Sequence, residues 1–483
     1  MKVKYILSID QSTSGTKALL LDEQGKLLGR ADLPHQQIIN HQGWVSHDPM
    51  EIYRNTITVT KRLIETQGID STDITAIGIS NQRETSLIWD RATGKPIADA
   101  VVWQCGRAQP ICDRLKSYTE IIRQKTGLRL SPYFPAAKWA WLLENTPGLT
   151  GKSLCCGTID AWLVYKLTGQ FKTDYSNASR TQLFNISTLS WDAELCELLG
   201  VAPDMLPLVC MSDSRFGDTD MGGILPHKIP IYGVLGDSHG ALFGQGCVIP
   251  GMGKATYGTG SSVMVNVGKA PIFSDKGLVT SLAWGMDGKV NYVLEGNINY
   301  TGSVIKWLVD EVKLLGSSKE AGALAAQADP KDGTYLVPAF TGLGAPYWKS
   351  DAKALLCGMG RGTGRAEIVK AAEESIGYQI ADAVNAMREE GVELSELRAD
   401  GGPTRDKYLM QFQADILGLP VAVPEREELS GIGAGYCAGI AAGVYSSDIL
   451  SHIDREYYQP QKGRDWVKAH FDGWKNAVSM LLK

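Results

Sequence analysis

The 483-residue chain lacks most of the signals that mark a redox, metal, nucleic-acid or membrane protein. Its nine cysteines are scattered with no Cys-x-x-Cys spacing, and Cys155 and Cys156 are adjacent. That excludes a disulfide framework and a thiolate zinc site, and fits buried thiols in a reducing compartment. No two of the seven histidines stand at i and i+4, so the helical zinc pattern is missing as well. No apolar run approaches the ~20 residues of a membrane span. The most apolar stretch, Gly431–Tyr445, is broken by glycines and flanked by Glu428 and Asp448, and reads as a helix buried between other elements. Lys and Arg total 48 against 53 Asp and Glu, a net charge of −5 with no basic cluster, which disfavours a nucleic-acid partner. There is no Gly-x-x-x-x-Gly-Lys-[Ser/Thr] phosphate loop. Gly342-Leu343-Gly344 and Gly358-Met359-Gly360 lack the preceding strand that a dinucleotide turn requires. Asp10 cuts the apolar run Tyr5–Ile9 off before a secretion signal is complete. The expectation is a soluble, cytoplasmic protein.

What is present is ordinary globular composition, 44% hydrophobic and 21% charged, over a length that suits two large domains or three smaller ones. Tyr5–Ser8 reads as a strand, Gln11–Gly15 as a polar turn and Thr16–Leu21 as a returning strand. The same device recurs about half the chain length later. Lys254–Tyr257 leads into Gly258-Thr259-Gly260-Ser261-Ser262, and Val263–Val267 returns. Strands at Ile74–Ile79 and Ile229–Gly236, a strand at Leu397–Ala399 and helical patterns between them point to α/β layers. Two halves opening on one device suggest a duplicated architecture with a cleft between, divided at residues 1–245 and 246–483.

Hairpin tips of Gly, Ser and Thr expose backbone N–H groups and hydroxyls, the makings of a phosphate nest. They are also what tight hairpins need for their own sake. Two such tips occur, Ser12–Thr16 and Gly258–Ser262, with a third glycine turn at Gly401–Gly402 read as opening a helix. Asp10 stands just before the first tip, where a carboxylate beside phosphate calls for a Mg²⁺ ion between them. Asp237 ends the strand before the second and is placed to accept a proton from an attacking hydroxyl. Arg83-Glu84 offers a donor and an acceptor to a polyhydroxyl ligand, or forms a surface salt bridge. His239 is read as non-catalytic.

These residues resemble those of a known family, the FGGY carbohydrate kinases, and within it the glycerol-phosphorylating branch. The resemblance runs from Ile6 to about Tyr445. It rests on Ile9-Asp10-Gln11-Ser12-Thr13, Asn81-Gln82-Arg83-Glu84-Thr85, Val102-Trp103-Gln104, Asp174-Tyr175-Ser176-Asn177-Ala178-Ser179-Arg180-Thr181, Thr256-Tyr257-Gly258-Thr259-Gly260 and Asp400-Gly401-Gly402. Tyr133-Phe134-Pro135-Ala136-Ala137-Lys138-Trp139 matches the family's signature segment.

The resemblance implies an actin-like fold, two ribonuclease-H-like domains closing over ATP, Mg²⁺ and a small polyol or sugar. Residue by residue, it implies Asp237 as general base and Asp10 as the Mg²⁺ carboxylate. Thr13, Ser14 and Lys17 match the first phosphate loop, with Lys17 where the family usually has Arg. Gly258 and Thr259 match the second loop, and Gly401 and Gly402 the adenine end. Arg83, Glu84, Trp103 and Tyr133 match the residues that hold the acceptor, with Asp237 and Ser238 beside them. Ser238 replaces a Gln and Ser262 an acceptor-packing Phe, so a wider, more polar pocket is expected. Glycerol is the first candidate acceptor, and a four- or five-carbon alditol or ketose the alternative. An actin- or chaperone-like ATPase is a remote third reading, and a homodimer or higher homo-oligomer is expected.

Overall fold

The computed structural model describes residues 4–451 and 453–482. Two large mixed sheets organise them. Across the first, the strands run Gly217–Thr219, Ile229–Gly236, Ile74–Asn81, Tyr5–Gln11, Gly15–Leu21 and Leu27–Pro34. Across the second they run Arg455–Tyr458, Val421–Pro424, Leu397–Asp400, Gly253–Tyr257, Ser261–Gly268, Lys289–Ile298 and Val279–Met286. Over six strands the two agree step for step, and Val279–Met286 is a seventh without a counterpart. Tyr5–Gln11 is antiparallel to its hairpin partner and parallel to Ile74–Asn81. Gly253–Tyr257 is likewise antiparallel to Ser261–Gly268 and parallel to Leu397–Asp400. The duplication suggested by the hairpin tips is thus a duplication of whole sheets.

The central strands are apolar almost without alternation because both faces are covered. Ile6, Leu7 and Ile9 are fully buried, as are Ile77 and Ile79 beside them. The helix Pro49–Gln67 covers one face with Ile52, Val59 and Leu63. It starts where the Asp48 carboxylate accepts the Met50 amide at 2.8 Å with Pro49 in the first position, and stops at Gly68, whose φ is +62°. No helix among the described residues is long and apolar enough to cross a membrane.

Two local expectations are corrected. Asp237 does not end a strand: Ile229–Gly236 closes at Gly236, and Asp237 opens the helix Asp237–Gly244. A carboxylate in a first helical turn is favoured by the helix's positive end. After Gly401, residues Gly402–Arg405 form a 3₁₀ turn, and the α-helix begins only at Lys407. Asp406 sets that start by accepting the Tyr408 amide at 2.9 Å.

The apolar stretch near the C-terminus forms the helix Leu429–Ala441, buried over most of its length. It lies against strands Ile74–Asn81 and Ile229–Gly236 and against the helix Asp237–Gly244, backbone on backbone. A Cβ on Gly78 would sit 2.3 Å from the Ala434 carbonyl oxygen, and one on Gly433 would sit 1.9 Å from that of Gly240. Overpacking costs ~1–3 kcal/mol, and a backbone obstacle cannot rotate away. Gly433→Ala is therefore expected to lower unfolding stability by about 3 kcal/mol, read as a lower urea midpoint at unchanged slope. An unchanged midpoint would refute the close packing of these two helices.

Candidate active site

The first hairpin tip is tied by the Ser12 amide donating to the Gly15 carbonyl at 2.8 Å. Thr13 is partly exposed there and Ser14 exposed. Its neighbour Gln82 donates its amide to the Gln11 carbonyl at 2.6 Å, so the tip and the Arg83-Glu84 segment emerge side by side. The second tip is tied by the Gly258 amide donating to Gly260. Its carbonyls take the amide of Gly302, the first residue of the helix Gly302–Asp310, at 2.9 Å on Gly258 and that of the preceding Thr301 at 3.0 Å on Thr259. Both tips thus carry exposed small polar residues on a fixed backbone, and Asp237 is close enough for its charge to act on Asp10.

Asp10 faces Lys17 directly across the hairpin. Burial pushes its carboxyl up from 3.8 to about 6, against the pull of Lys17 and a Ser80 hydrogen bond. Lys17 itself is paired with Glu428, which also takes Arg30 at 2.5 Å. Asp10 and Lys17 line one cavity of about 480 Å³ with Asp400, Gly401, Gly402 and Glu428. Gly402 and Arg405 also line a larger chamber of about 840 Å³, walled by Ile305, Val309, Ile376 and Pro403. The compartment bearing the under-compensated carboxylate shares Gly402 and Arg405 with the larger one, whose apolar walls are rimmed by charged residues such as Lys306, Glu373 and Asp406.

Arg83 and Glu84 do not form the surface salt bridge that adjacency allows. Both are buried, with Arg83 Nε 3.9 Å from Glu84 Oε1. Arg83 Nε lies 3.2 Å from Asp237 Oδ1, while its two terminal nitrogens reach Glu295 at 2.9 and 3.3 Å. Glu84 is taken by Arg180 Nε at 2.6 Å. Its φ of +61° is a strained value for a non-glycine residue. It is held by Lys138 and the Ser86 hydroxyl, both donating to its carbonyl. Trp103 and Tyr133 sit with ring centroids 5.6 Å apart, and Trp103 Nε1 donates to Thr13 Oγ1 at 2.9 Å. Trp103 therefore touches the first hairpin tip directly.

Asp10, Lys17, Gly401 and Gly402 share one cavity, while Thr13, Trp103 and Tyr133 are joined through Lys138 to Glu84, Arg83 and Asp237, and Ser238 donates its amide to Asp237 Oδ1 at 2.6 Å. His239 is fully buried with its Nε2 3.3 Å from Ser281 Oγ. Burial, helped by Arg83, holds it well below the usual histidine range. Ser262 does not simply leave a gap: its hydroxyl donates to Glu295 at 2.9 Å. Sequence reasoning gave no role to Arg180 or Glu295. The available signal was a lone carboxylate in the otherwise uncharged stretch Val290–Ile298. Among the described residues no group of three or more His, Cys, Asp or Glu could hold a metal unaided. A cation here would need few protein ligands, with phosphate and water supplying the rest.

Residues 5–244 match the N-terminal domain, and residues 253–442 the C-terminal domain, of the FGGY family of carbohydrate kinases. Glycerol kinase 1 of Thermotoga maritima is 46% identical over 490 residues, covering 99% of each chain. A crystal structure of Plasmodium falciparum glycerol kinase with ADP is similar with a TM-score of 0.93 at 34% identity, covering 100% of this chain and 99% of that one. A ligand-bound xylulose kinase from Lactobacillus acidophilus shares the fold, TM-score 0.90 at 21% identity, over 99% of this chain and 97% of its own. The expected actin-like, ribonuclease-H-like architecture is borne out.

The buried state of Asp10 generates a test. A folded-state value raised to about 6 means the fold holds the proton more tightly than the unfolded chain. Asp10 therefore weakens the ligand-free fold progressively as pH rises from about 4 through 6. Asp10→Asn removes that ionisation. The ligand-free variant should be more stable than the wild type by ~1–3 kcal/mol at pH 8, with the difference vanishing near pH 4. Urea unfolding at both pH values decides it; a variant no more stable at pH 8 would refute the unfavourable burial of this charge.

Proposed function

The chain belongs to the FGGY family of carbohydrate kinases, and from that premise we propose that it transfers the γ-phosphoryl group of ATP to a primary hydroxyl of glycerol, giving glycerol 3-phosphate. The observation that carries the reading is Asp237. It is a part-exposed carboxylate at a helix start, beside Arg83, within electrostatic reach of Asp10 at the first hairpin tip. Glycerol is supported by relatives named glycerol kinases that are 44–46% identical over essentially the whole chain. The longer-polyol alternative leans on Ser238 and Ser262, and the Ser262 hydroxyl is engaged by Glu295. An actin- or chaperone-like ATPase has no use for a pocket of Arg83, Glu84, Trp103 and Tyr133.

In this reading residues 1–245 supply the acceptor pocket, the first phosphate loop and the base, and residues 246–483 the second loop and the adenine site. The protein would act in the cytoplasm. Thr13, Ser14 and Lys17 on one side and Gly258 and Thr259 on the other flank the triphosphate. Its base enters the apolar chamber past Gly401 and Gly402. Lys17 leaves Glu428 for a phosphate oxygen when nucleotide enters.

The Asp10 site fits Mg²⁺, because its carboxylate is buried without enough positive charge to hold it ionised. Asp10 would hold the ion, and the ion would neutralise charge on the phosphates. Trp103 and Tyr133 form a wall for the carbon backbone of glycerol, while Arg83 and Glu84 meet its hydroxyls. Asp237 orients the attacking hydroxyl in line and takes its proton as the bond to phosphorus forms. The transition state spreads charge over the phosphoryl oxygens, so most of the acceleration comes from positioning and preorganised N–H groups. Closure of the cleft keeps water from taking the phosphoryl group.

An ADP-release assay across glycerol, erythritol, xylitol, dihydroxyacetone, xylulose and ribulose tests the acceptor: glycerol is expected to give the highest kcat/KM. A four- or five-carbon substrate ahead of it would overturn the assignment. General-base catalysis contributes ~10²–10⁴-fold. Asp237→Asn is accordingly expected to lose at least about 100-fold in kcat with nucleotide affinity unchanged, and a near-wild-type rate would exclude Asp237 as the base.

A further inference from the structure

Glu295 has no part in the roles above, yet it is fully buried in the strand Lys289–Ile298. A carboxylate taken out of water costs several kcal/mol unless its partners are close and well aimed. Glu295 has three. Both terminal nitrogens of Arg83 reach it at 2.9 and 3.3 Å, Arg180 Nη1 lies at 2.6 Å, and the Ser262 hydroxyl donates at 2.9 Å. Burial alone would raise Glu295; Arg180 and Arg83 outweigh it and hold its carboxyl well below the usual range.

The geometry divides Arg83 in two. Glu295 occupies the guanidinium fork, so only Nε is left to face Asp237. Both partners of the Asp237 carboxylate among the described residues, the Ser238 amide at 2.6 Å and Arg83 Nε at 3.2 Å, sit on Oδ1. Oδ2 is left for an acceptor hydroxyl. Without Glu295 the fork of Arg83 would be free to close on Asp237 bidentately, the geometry that carboxylates and guanidinium prefer. The base would then be neutralised and turned from its substrate.

We propose that Glu295 is a positioning residue for phosphoryl transfer, which clamps Arg83 so that Asp237 keeps one oxygen free to accept the proton. The assignment rests on the reading of Asp237 as the base. Its parts come from both matched segments, Arg83, Arg180 and Asp237 from residues 5–244 and Glu295 and Ser262 from residues 253–442. The clamp is therefore complete only when the two halves meet.

The test is steady-state kinetics of Glu295→Gln and Glu295→Asp in the full-length protein, beside Asp237→Asn, with ADP binding measured on each. Glu295→Gln keeps the length and removes the charge. It should lower kcat by roughly 10- to 100-fold, within the range general-base catalysis supplies, while KM for ATP and the Kd for ADP stay within about two-fold. Glu295→Asp keeps the charge and should recover most of the lost kcat. Wild-type turnover in Glu295→Gln, or joint loss of turnover and ADP binding, or an Asp variant no better than Gln, would overturn the proposal. Should Glu295→Gln not fold, Ser262→Ala decides. Loss of that one hydrogen bond should lower kcat a few-fold at unchanged KM for ATP, and unaltered kinetics would overturn the assignment. An active Asp237→Asn variant would instead overturn the base itself, and the two failures are thereby told apart.

Discussion

The structure depends on one constraint, the approach of the helix Leu429–Ala441 to the first sheet at backbone distance. Gly78 and Gly233 on the strands, and Gly240 and Gly244 on the neighbouring helix, leave room for its main chain where any side chain would collide. The helix carries Glu428 at its start to within reach of Lys17 and Arg30, and sets Gly431 over the Asp10 side chain. The Gly401–Gly402 turn and the Asp10–Lys17 pair of the first hairpin consequently line a single cavity. Close packing of this kind is stiff and defined, because interiors at crystal-like density do not deform continuously.

Around that floor the charges fall into two groups with different tasks. Arg83, Arg180, Glu84 and Glu295 are buried and ion-paired with one another, a frame whose mutual attraction offsets its desolvation although Arg83 Nε and both terminal nitrogens of Arg180 make no hydrogen bond among the described residues. Asp10, Lys17 and Glu428 lie along the open cavity. Asp10 is short of positive charge, and Lys17 has a partner that it can exchange. A lysine suits that exchange, since its ammonium is a compact point charge on a flexible stem, whereas an arginine fork prefers to stay bidentate. The first group fixes geometry, and the second responds to ligand.

The hairpins, the apolar strands and the two carboxylates beside the tips could be read from the chain, because each is a local pattern. Ile229–Gly236 emerges with the expected ends, and Gly253–Tyr257 and Leu397–Asp400 extend theirs by one residue. The start of the helix at Asp237 leaves no mark in the sequence because no residue separates strand from helix there. The Arg83–Glu84 pair was legible as chemistry but not as geometry. Adjacent residues suggest a pair with each other, and each instead finds its main partner 96 or 212 positions away. Glu295 and Arg180 leave no local trace of their meeting. Buried ion pairs between distant strands follow from topology, which a single sequence does not display.

The same glycine-lined helix shapes how the chain is made. The strands and helix it covers are complete once Gly244 has left the ribosome, but Leu429 follows about 185 residues later. At about 5–20 residues per second, that interval is roughly 10–40 seconds. Throughout it, the faces of Gly78, Gly233 and Gly240 have no cover, and they are narrow clefts floored by main chain. The first half cannot reach its final packing until synthesis of the second is nearly finished.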